Sequence, residues 1–521
     1  MKFLQKTLAS RYSIIVLLLF FTVASLSVGL VLGEDPGFGL SVWLDMLYNH
    51  RDFNTFSIPS HSNINDNQSL FLTWWSPGQY FVPGIISSLL GLNLATSSLL
   101  ITLSFSILGL WGWQKIYQYF QFETTTVAIS LFFIATSRLF TINFLNYTGG
   151  ELLLFGAQPW SIWLFLQYRT HPFKLFGAIL SISLICFFLK TAYTIGFVSL
   201  CVYSFFVYAN DAFKEKNIMH PSLKAVITMG VCILCYVFLT QFYFLNKGTS
   251  PITNTAQPFK IVWSSFETLT YPLTHWFSIS EIYPQLQLRF ELSTWITFIY
   301  FFFISLGLFF LIKILLITKY NTARGIFLSF YLVYCGIFLL LYNKGADISI
   351  EYRHTKILAY LFLPLLIVEL LKPQLKLKTL FILVLILNTG YGISSFLIKK
   401  FAISHESAVG TTGFSLRDAS KEDIDFIHAV DKKDNILYFT SGSLNVEAIH
   451  ARKIVGSIDL KFAKDCGFLF DKYEGKSGKI YAFLHKAYQE ISSNPTLEKQ
   501  FPQYHFKRVK QTRMFDIYEG Q

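Results

Sequence analysis

The stretch "GEDPGFGLSVWLDML" (residues 33–47) follows directly on the first long apolar run of the chain. It places two carboxylates, Glu34 and Asp35, where a membrane span should end and water should begin. A charged side chain is costly inside a bilayer, so acids at this point mark the end of the span. The residues that follow decide whether these acids are held in a defined position.

Residues 38–48 have the spacing of an amphipathic helix, because leucine and tryptophan recur at i, i+3, i+4 and i+7. Ser41 and Asp45 occupy the other side of this helix. We predict that the helix lies in the membrane interface with its apolar side toward the lipid. It would hold Asp35 at a defined depth, so the sequence indicates a positioned carboxylate.

The composition is that of a membrane protein. The chain of 521 residues is 53% hydrophobic and 18% aromatic, with only 14% charged residues. Apolar runs near the ~20 residues that cross a bilayer predict about eleven transmembrane helices. The runs are 13–33, 95–113, 125–145, 151–168, 222–245, 292–312, 326–342, 355–371, 379–398 and 174–208, the last long enough for two spans broken near Lys190. We interpret the first run as a retained span, since it exceeds the ~7–15 apolar residues of a signal peptide.

Basic residues predict the orientation. If the N-terminus is cytoplasmic, the short inside loops hold 15 Lys and Arg, against 8 in the longer outside loops. The first loop and the loop 246–291 then lie on the extracytoplasmic side, together with everything after about residue 399. Most of the net charge of +12 belongs to the membrane part, because residues 401–521 are nearly neutral. Without a basic soluble face, no nucleic-acid partner is expected.

The last 121 residues differ from the rest, because charges of both signs alternate with short β-like runs. The runs are "NILYFTS", "RKIVGS", "KIYAFLH" and "MFDIYEG", interleaved with helical patterns at 421–430 and 482–492. The predicted fold is therefore an all-α polytopic membrane module over residues 1–400, with outer loops 34–95 and 246–291, followed by a small extracytoplasmic α/β domain over 401–521.

A second feature of the first loop is the segment "TWWSPGQYFVPGIISSLLGLN" (73–93), in which aromatic residues surround two prolines. Trp74, Trp75 and Tyr80 belong to it. Aromatic rings beside a membrane can stack on sugar rings, and they also anchor membrane interfaces generally. Both interpretations stay open at this point.

These segments together resemble the C-type (GT-C) membrane glycosyltransferases, particularly the protein O-mannosyltransferases and aminoarabinose transferases. In that family an acid follows the first span, often as D-E-x-x-Y, then come a helix, a P-P-x-x-Y-like segment and "FG". This chain has Asp35-Pro36-Gly37-Phe38, Pro77-Gly78-Gln79-Tyr80 and Leu90-Gly91 at the corresponding places. It departs from the pattern where Pro36 replaces the second acid and Gly78 the second proline.

The resemblance implies a function. Asp35 would be the catalytic base, and the donor would be a sugar carried on a polyprenyl phosphate that enters among the helices from the bilayer. A carboxylate can take the proton from an acceptor hydroxyl as that oxygen attacks the anomeric carbon. The partners expected are this lipid-linked donor, the bilayer, and an acceptor that is a lipid, a glycan or a protein.

The departing lipid phosphate needs cations close by. The family often has an arginine before an "LLP" stretch, and Arg353 in "ISIEYRHTKILAYLFLP" (348–364) matches it. His354 and Lys356 accompany it. The alternative is that all three are interfacial charges that reach toward water. Lys190 lies between two apolar halves and is a further candidate for the phosphate, with simple loop solvation as the alternative.

The remaining candidates are weaker. Glu34, Glu151 and His275 are possible contacts of the sugar or acceptor, together with the aromatic residues of the first loop. Glu151 would orient Lys190 or the acceptor, or simply begin a helix, where an acid is favourable. No cofactor is predicted, no metal ligand set is recognised, and a divalent metal is left open.

Two other functions compete with this one. A carrier or flippase usually has charges near the bilayer midplane and two related halves, and neither pattern is present here. A scaffold that binds glycans through residues 401–521 is the other possibility. There is no phosphate-binding G-x-x-x-x-G-K-[ST] motif, which argues against an ATP-driven transporter.

Overall fold

The computed structural model describes residues 11–72, 76–245, 248–249, 259–277, 294–346, 352–371, 378–417, 419–455, 472–486 and 494–521. Its larger part is a helical bundle. The helices up to the last long one are α1 (Arg11–Val28), α2 (Glu34–Asn49), α3 (Gly78–Leu90), α4 (Leu94–Tyr119), α5 (Thr124–Thr136), α6 (Arg138–Thr141), α7 (Gly150–Tyr168), α8 (Pro172–Leu189), α9 (Tyr193–Glu215), α10 (Leu223–Leu245), α11 (Tyr271–Thr274), α12 (Thr294–Ile317), α13 (Asn321–Asn343), α14 (Lys356–Leu370) and α15 (Lys378–Glu406).

The bundle has the helices of a multi-pass membrane protein. Each predicted apolar run coincides with a helix, or with the bent pair of α5 and residues 138–144. Among the described residues, five helices are long and apolar enough to cross a membrane, and the bent pair, with its 53° angle, makes a sixth. Those five are α4, α8, α9, α10 and α13. The count of about eleven spans and the orientation of the termini stay predictions.

The break near Lys190 is present. Helix α8 ends at Leu189, Lys190 has an extended backbone, and α9 begins at Tyr193. The ammonium group therefore lies in a short turn between two bundle helices, as the charge within the apolar run predicts.

A small sheet joins the start of the chain to the residues after α15. Strand β1 (Val31–Leu32) pairs in parallel with β4 (Asn146–Tyr147) and with β7 (Ser415–Leu416), which in turn pairs with β6 (Ala408–Val409). Gly29 makes this approach possible, because its φ is +90° and a Cβ there would lie 2.3 Å from Ser415 Oγ. Ser415 Oγ donates to the Val28 carbonyl oxygen at 3.0 Å, at the end of α1, and Lys400 Nζ donates to the Gly29 carbonyl oxygen at 2.6 Å.

The residues after α15 form an α/β unit. Its sheet has the order β11-β12-β10-β8-β9, with β8, β9 and β10 parallel and the other pairs antiparallel. The strands are β8 (Ile436–Phe439), β9 (Arg452–Val455), β10 (Ile480–His485), β11 (Phe506–Gln511) and β12 (Phe515–Gly520), and the helices are α16 (Lys421–Val430) and α17 (Asn494–Gln500).

Most of the pattern predicted for this region is present. The four β-like runs contain β8, β9, β10 and β12, and α16 spans the predicted 421–430. The helix predicted over 482–492 is wrong at 482–485, which belong to β10. Those side chains alternate toward two apolar cores, and pairing with β8 and β12 overrides the local helical spacing. The domain boundary at residue 400 stays a prediction.

The amphipathic helix of the first loop is present as α2, but the prediction that its apolar side faces lipid is wrong, and its position in the membrane interface stays a prediction. Leu40, Trp43 and Leu44 are buried in a core shared with α3 and the α/β unit. Residues 442–447 of that unit pack directly along α2. The apolar side of α2 therefore contacts protein, because the folded chain offers it an apolar surface of its own.

The polar side of α2 is buried as well. Lys453 on β9 donates to Asp45 Oδ1 at 2.9 Å and to the Ala448 carbonyl oxygen at 3.0 Å. The side chains of Lys453 and Asp45 are only 2% and 6% exposed. Asn49 donates to the same carboxylate at 3.2 Å and to the Ile449 carbonyl oxygen at 2.8 Å. The helix that begins beside Asp35 is thus fastened to the α/β unit by a buried ion pair.

The Lys453→Met substitution is expected to lower the free energy of unfolding by about 3–5 kcal/mol, because it leaves the Asp45 carboxylate buried without its cation. The Asp45→Leu/Lys453→Met double variant is expected to recover most of that loss, since no charge stays buried. Thermal unfolding of the purified full-length protein measures both. Equal destabilisation in the single and the double variant would contradict the expectation.

The first loop also contains a β-hairpin that the sequence did not indicate. Strand β2 (Thr55–Pro59) pairs in antiparallel fashion with β3 (Asn67–Leu72). Strand β3 also pairs in parallel with β5 (Gly248–Thr249). Arg452 donates to the Ile64 carbonyl oxygen at the hairpin turn at 2.6 Å. The hairpin therefore docks on the edge of the α/β sheet beside β9.

Candidate active site

A cavity opens in the bundle between α4, α7, α13 and the two turns that precede α9 and α14. It is lined by Trp113, Glu151, Leu154, Phe155, Gln158, Lys190, Ala192, Tyr334, Arg353, His354, Lys356, Ile357 and Tyr360. Four of the thirteen lining residues are Trp, Phe or Tyr, and the charged side chains come from three separate parts of the chain. Apolar walls with a few converging polar groups are the usual form of a small-molecule site, but this cavity, at about 40 Å³, is smaller than the ~300–1,000 Å³ of such sites and has to widen to admit a sugar.

Asp35 and Arg353 meet beside this cavity. Their Oδ2 and Nη1 atoms are 3.5 Å apart, although more than three hundred residues separate them in the chain. Asp35 lies in the first turn of α2, where a carboxylate is favoured by the helix dipole. Arg353 lies in a 3₁₀ turn (Tyr352–His354) just before α14. The side chains are 49% and 36% exposed, so both retain access to water and to a ligand.

Lys190 and Glu151 form a tighter pair within the cavity. Lys190 Nζ lies 2.6 Å from Glu151 Oε1, and the side chains are 19% and 10% exposed. Glu151 is in the first turn of α7. Two of the predicted roles of Glu151 therefore have the required geometry, since the residue contacts Lys190 and also lies at the start of a helix.

The segment 76–79 contacts the residues on either side of Lys190. Ser76 Oγ accepts the backbone N–H of Thr191 at 2.6 Å. At Gly78 a Cβ would lie 2.7 Å from Leu189 Cα and from the Phe188 carbonyl oxygen. This close approach leaves no room for a side chain at position 78 against the end of α8.

His354 and Lys356 line the cavity beside Arg353. The imidazole of His354 stacks on Phe338 with ring centroids 5.6 Å apart. Burial lowers the pKa of His354 to about 3, and the positive charges of Lys190, Arg353 and Lys356 act in the same direction. His354 is therefore neutral at physiological pH, and the cations of the site are the lysines and the arginine.

His275 does not line the cavity but supports it. Its Nε2 is 2.9 Å from Thr355 Oγ1, and its ring stacks on Tyr271. Residues 259–277 of the second outer loop pack among α12, α13 and α14. Apart from these residues and strand β5, the loop 246–291 lies outside the described part of the chain.

The other predicted contacts have different outcomes. Tyr80 was predicted to contact the sugar or the acceptor. This prediction is wrong, because Tyr80 is fully buried between α2 and α3 and its hydroxyl donates to Asn54. A sugar in the cavity cannot reach it there. Trp74 and Trp75 lie outside the described residues, and for Glu34 only the backbone is described. Among the described residues no group of three potential metal ligands comes together.

Several lining residues escaped the sequence interpretation. Trp113, Tyr334 and Tyr360 lie inside apolar runs, where large aromatic residues are indistinguishable from core. Gln158, which donates to Tyr334 Oη at 3.2 Å, was detectable, because an amide in the middle of an apolar span needs a partner.

Comparison with known proteins addresses the fold. No family model matches the sequence, and no curated protein matches it. The crystal structure of ArnT from Cupriavidus metallidurans bound to undecaprenyl phosphate matches with a TM-score of 0.53 at 13% identity, over 98% of this chain and 97% of that chain. The apo state of the same protein matches with a TM-score of 0.52 at 12% identity, over the same shares.

The chain shares the fold of these ArnT structures. The predicted resemblance to the aminoarabinose transferases is confirmed at the level of the fold, and it extends from the first span through the α/β unit, well beyond the first loop that carries the motifs. At 13% identity the likeness carries no residue roles from one protein to the other. Those roles depend on the geometry of this chain.

Proposed function

We propose that the protein is an integral membrane glycosyltransferase. It transfers a sugar from a polyprenyl-phosphate-linked donor to an acceptor hydroxyl on the extracytoplasmic face, with inversion at the anomeric carbon. The observation that carries the proposal is the 3.5 Å approach of Asp35 and Arg353 beside a cavity that also holds Lys190 and Lys356. An acid and a set of cations are the two elements that this transfer needs.

Asp35 is the general base. Its carboxylate takes the proton of the acceptor hydroxyl while that oxygen forms the new bond to the anomeric carbon. The bond between the anomeric carbon and the phosphate oxygen breaks on the opposite side, and the lipid phosphate leaves with the electron pair. A base is effective only if it is fixed and can reach the acceptor proton. The rigid start of α2 and the half-exposed side chain fit both requirements.

Arg353, Lys190 and Lys356 bind the phosphate of the donor. Arg353 is suited to the negative charge that develops on the leaving oxygen, because its planar guanidinium can donate two parallel hydrogen bonds. Glu151 reduces the net charge of the cavity and fixes the direction of the Lys190 ammonium. His354 contributes a neutral hydrogen-bonding ring.

The aromatic walls suit the rest of the donor. Trp113, Phe155, Tyr334 and Tyr360 surround the interior of the cavity. Their faces can stack on a sugar ring or on the first isoprene units of the lipid. The fold neighbour ArnT was crystallised with undecaprenyl phosphate, which supports a polyprenyl phosphate as the carrier.

The direct test is a transfer assay. Purified full-length protein is reconstituted in proteoliposomes with a radiolabelled sugar on undecaprenyl phosphate and a membrane extract as the acceptor. A new glycosidic product that depends on the protein supports the proposal. Movement of the label across the bilayer without any new glycosidic bond would overturn it in favour of a carrier.

The Lys190→Met substitution is expected to raise the donor KM by about 10- to 100-fold, because a charge-assisted hydrogen bond contributes ~1.5–3 kcal/mol. It also leaves the Glu151 carboxylate facing the phosphate. The Glu151→Gln/Lys190→Met double variant should therefore recover part of the donor affinity. Initial rates at varied donor concentration measure this. A double variant as poor as Lys190→Met would contradict the arrangement, and Lys432→Met on the exposed α/β surface is the matched control.

A further inference from the structure

A second cleft lies where α15 meets the α/β unit, and it shares no lining residue with the active-site cavity. Its walls come from the end of α15, the turn around β6, one side of α16 and the turn between β11 and β12. With a volume of about 670 Å³ it is large enough for a lipid headgroup or another polar ligand.

Basic side chains from three of these elements face the cleft. They are His405 from α15, Lys421 and His428 from α16, and Arg513 from the turn before β12. Asp425 is the carboxylate among the described lining residues. Among the lining side chains, the positive charges of Lys421 and Arg513 outnumber the negative charge of Asp425.

A buried carboxylate beneath the cleft already has hydrogen-bond partners. Glu447 is fully buried, and it accepts hydrogen bonds from the Thr411 N–H at 2.9 Å and from the Thr411 hydroxyl at 2.8 Å. His428 Nε2 lies 3.3 Å from the same carboxylate. Arg513 donates to the Glu406 carbonyl oxygen at 2.5 Å, which fixes the guanidinium without neutralising it.

The cleft lies at the end of an apolar stripe. Ile398 and Phe401 on α15 are 68% and 69% exposed, and they lie at the outer end of the predicted span 379–398, where apolar side chains can contact the membrane interface. His405 follows one turn after Phe401, with ring centroids 4.5 Å apart. Val409, also exposed, continues the apolar rim past the end of the helix. A molecule in the cleft therefore meets cations at its polar end and an apolar helix face toward the bilayer.

We propose that this cleft binds the phosphate headgroup of an anionic bilayer phospholipid, whose acyl chain lies along the Ile398–Phe401 face of α15. Clustered basic side chains close to the membrane surface attract anionic lipid head groups. The bound lipid docks the α/β unit on the membrane surface at a place distinct from the active site. The proposal does not depend on the proposed transferase activity.

The test compares bound lipids by native mass spectrometry of the full-length protein released from nanodiscs containing equal amounts of phosphatidylglycerol and phosphatidylcholine. The wild type should retain phosphatidylglycerol preferentially. The Lys421→Gln/Arg513→Gln variant should lose about tenfold of that preference, as two phosphate contacts are removed. The exposed pair Lys432→Gln/Lys507→Gln, which does not line the cleft, is the matched control.

Two further experiments distinguish a lipid headgroup from free phosphate as the bound group. The Phe401→Ser substitution should also weaken retention of phosphatidylglycerol, and millimolar inorganic phosphate should not displace the lipid. Full displacement by inorganic phosphate, with no effect of Phe401→Ser, would show a free-anion site and overturn the lipid proposal. An unchanged preference in the Lys421/Arg513 variant would overturn the cleft itself.

Discussion

The Asp35→Asn substitution is expected to reduce the rate of sugar transfer by about 10²- to 10⁴-fold, the usual contribution of a general base. The amide has nearly the same shape as the carboxylate, but it cannot take the proton from the acceptor hydroxyl. Donor binding should persist, because removing a negative charge beside Arg353 cannot weaken the attraction for a phosphate. The expected result is therefore a large loss of kcat with little change in donor KM, measured with the reconstituted protein.

Asp52→Asn is the control for this variant. Asp52 is an exposed carboxylate in the same loop, outside the lining of the cavity, so its loss should leave transfer unchanged. Near-normal turnover in folded Asp35→Asn protein would show that Asp35 is not the general base. The Asp35→Glu variant should retain part of the rate, because the chemistry survives while the position changes.

Replacement of Arg353 has the second largest expected effect. Arg353→Gln should lower kcat by about 10²- to 10³-fold, the range found when one preorganised donor to a developing oxyanion is lost. Arg353→Lys keeps the charge but loses the planar pair of N–H donors, so it should recover only part of the rate. Arg51→Lys, an exposed arginine in the first loop, is the matched control.

The two substitutions together test whether the residues act as one unit. In the double variant Asp35→Asn/Arg353→Gln the losses should be far from additive, since both residues serve the same bond-breaking step. Additive losses would mean that Arg353 acts away from the reacting atoms. Full activity of Arg353→Gln would reduce Arg353 to an interfacial charge, which is the alternative that the sequence leaves open.

Much of the architecture follows from local properties of the chain. The apolar runs predict the bundle helices, because an unbroken apolar stretch in a membrane must satisfy its backbone hydrogen bonds internally. The break at Lys190 follows from the cost of a charge in lipid. The β-like runs after residue 434 predict most of the second sheet, because alternating patterns are local as well.

Where the sequence interpretation fails, a long-range contact is the cause. The spacing of α2 predicts an amphipathic helix correctly, but it cannot say whether lipid or protein covers the apolar side. The buried pair of Asp45 with Lys453 shows that the covering surface comes from a strand four hundred residues away. Tyr80 was expected near a sugar for the same reason, since an aromatic residue in a loop gives no sign of its burial.

The sequence by itself determined that this is a multi-pass membrane protein with a carboxylate held at the end of its first span, and its first-loop motifs indicated the fold. Only the tertiary structure decided that Asp35 and Arg353 meet, that Glu151 holds Lys190, and that aromatic residues from four helices enclose the space between them. The physical reason is that helix and strand propensities depend on neighbours a few residues apart. A catalytic site depends on the packing of segments whose separation along the chain leaves no local signal.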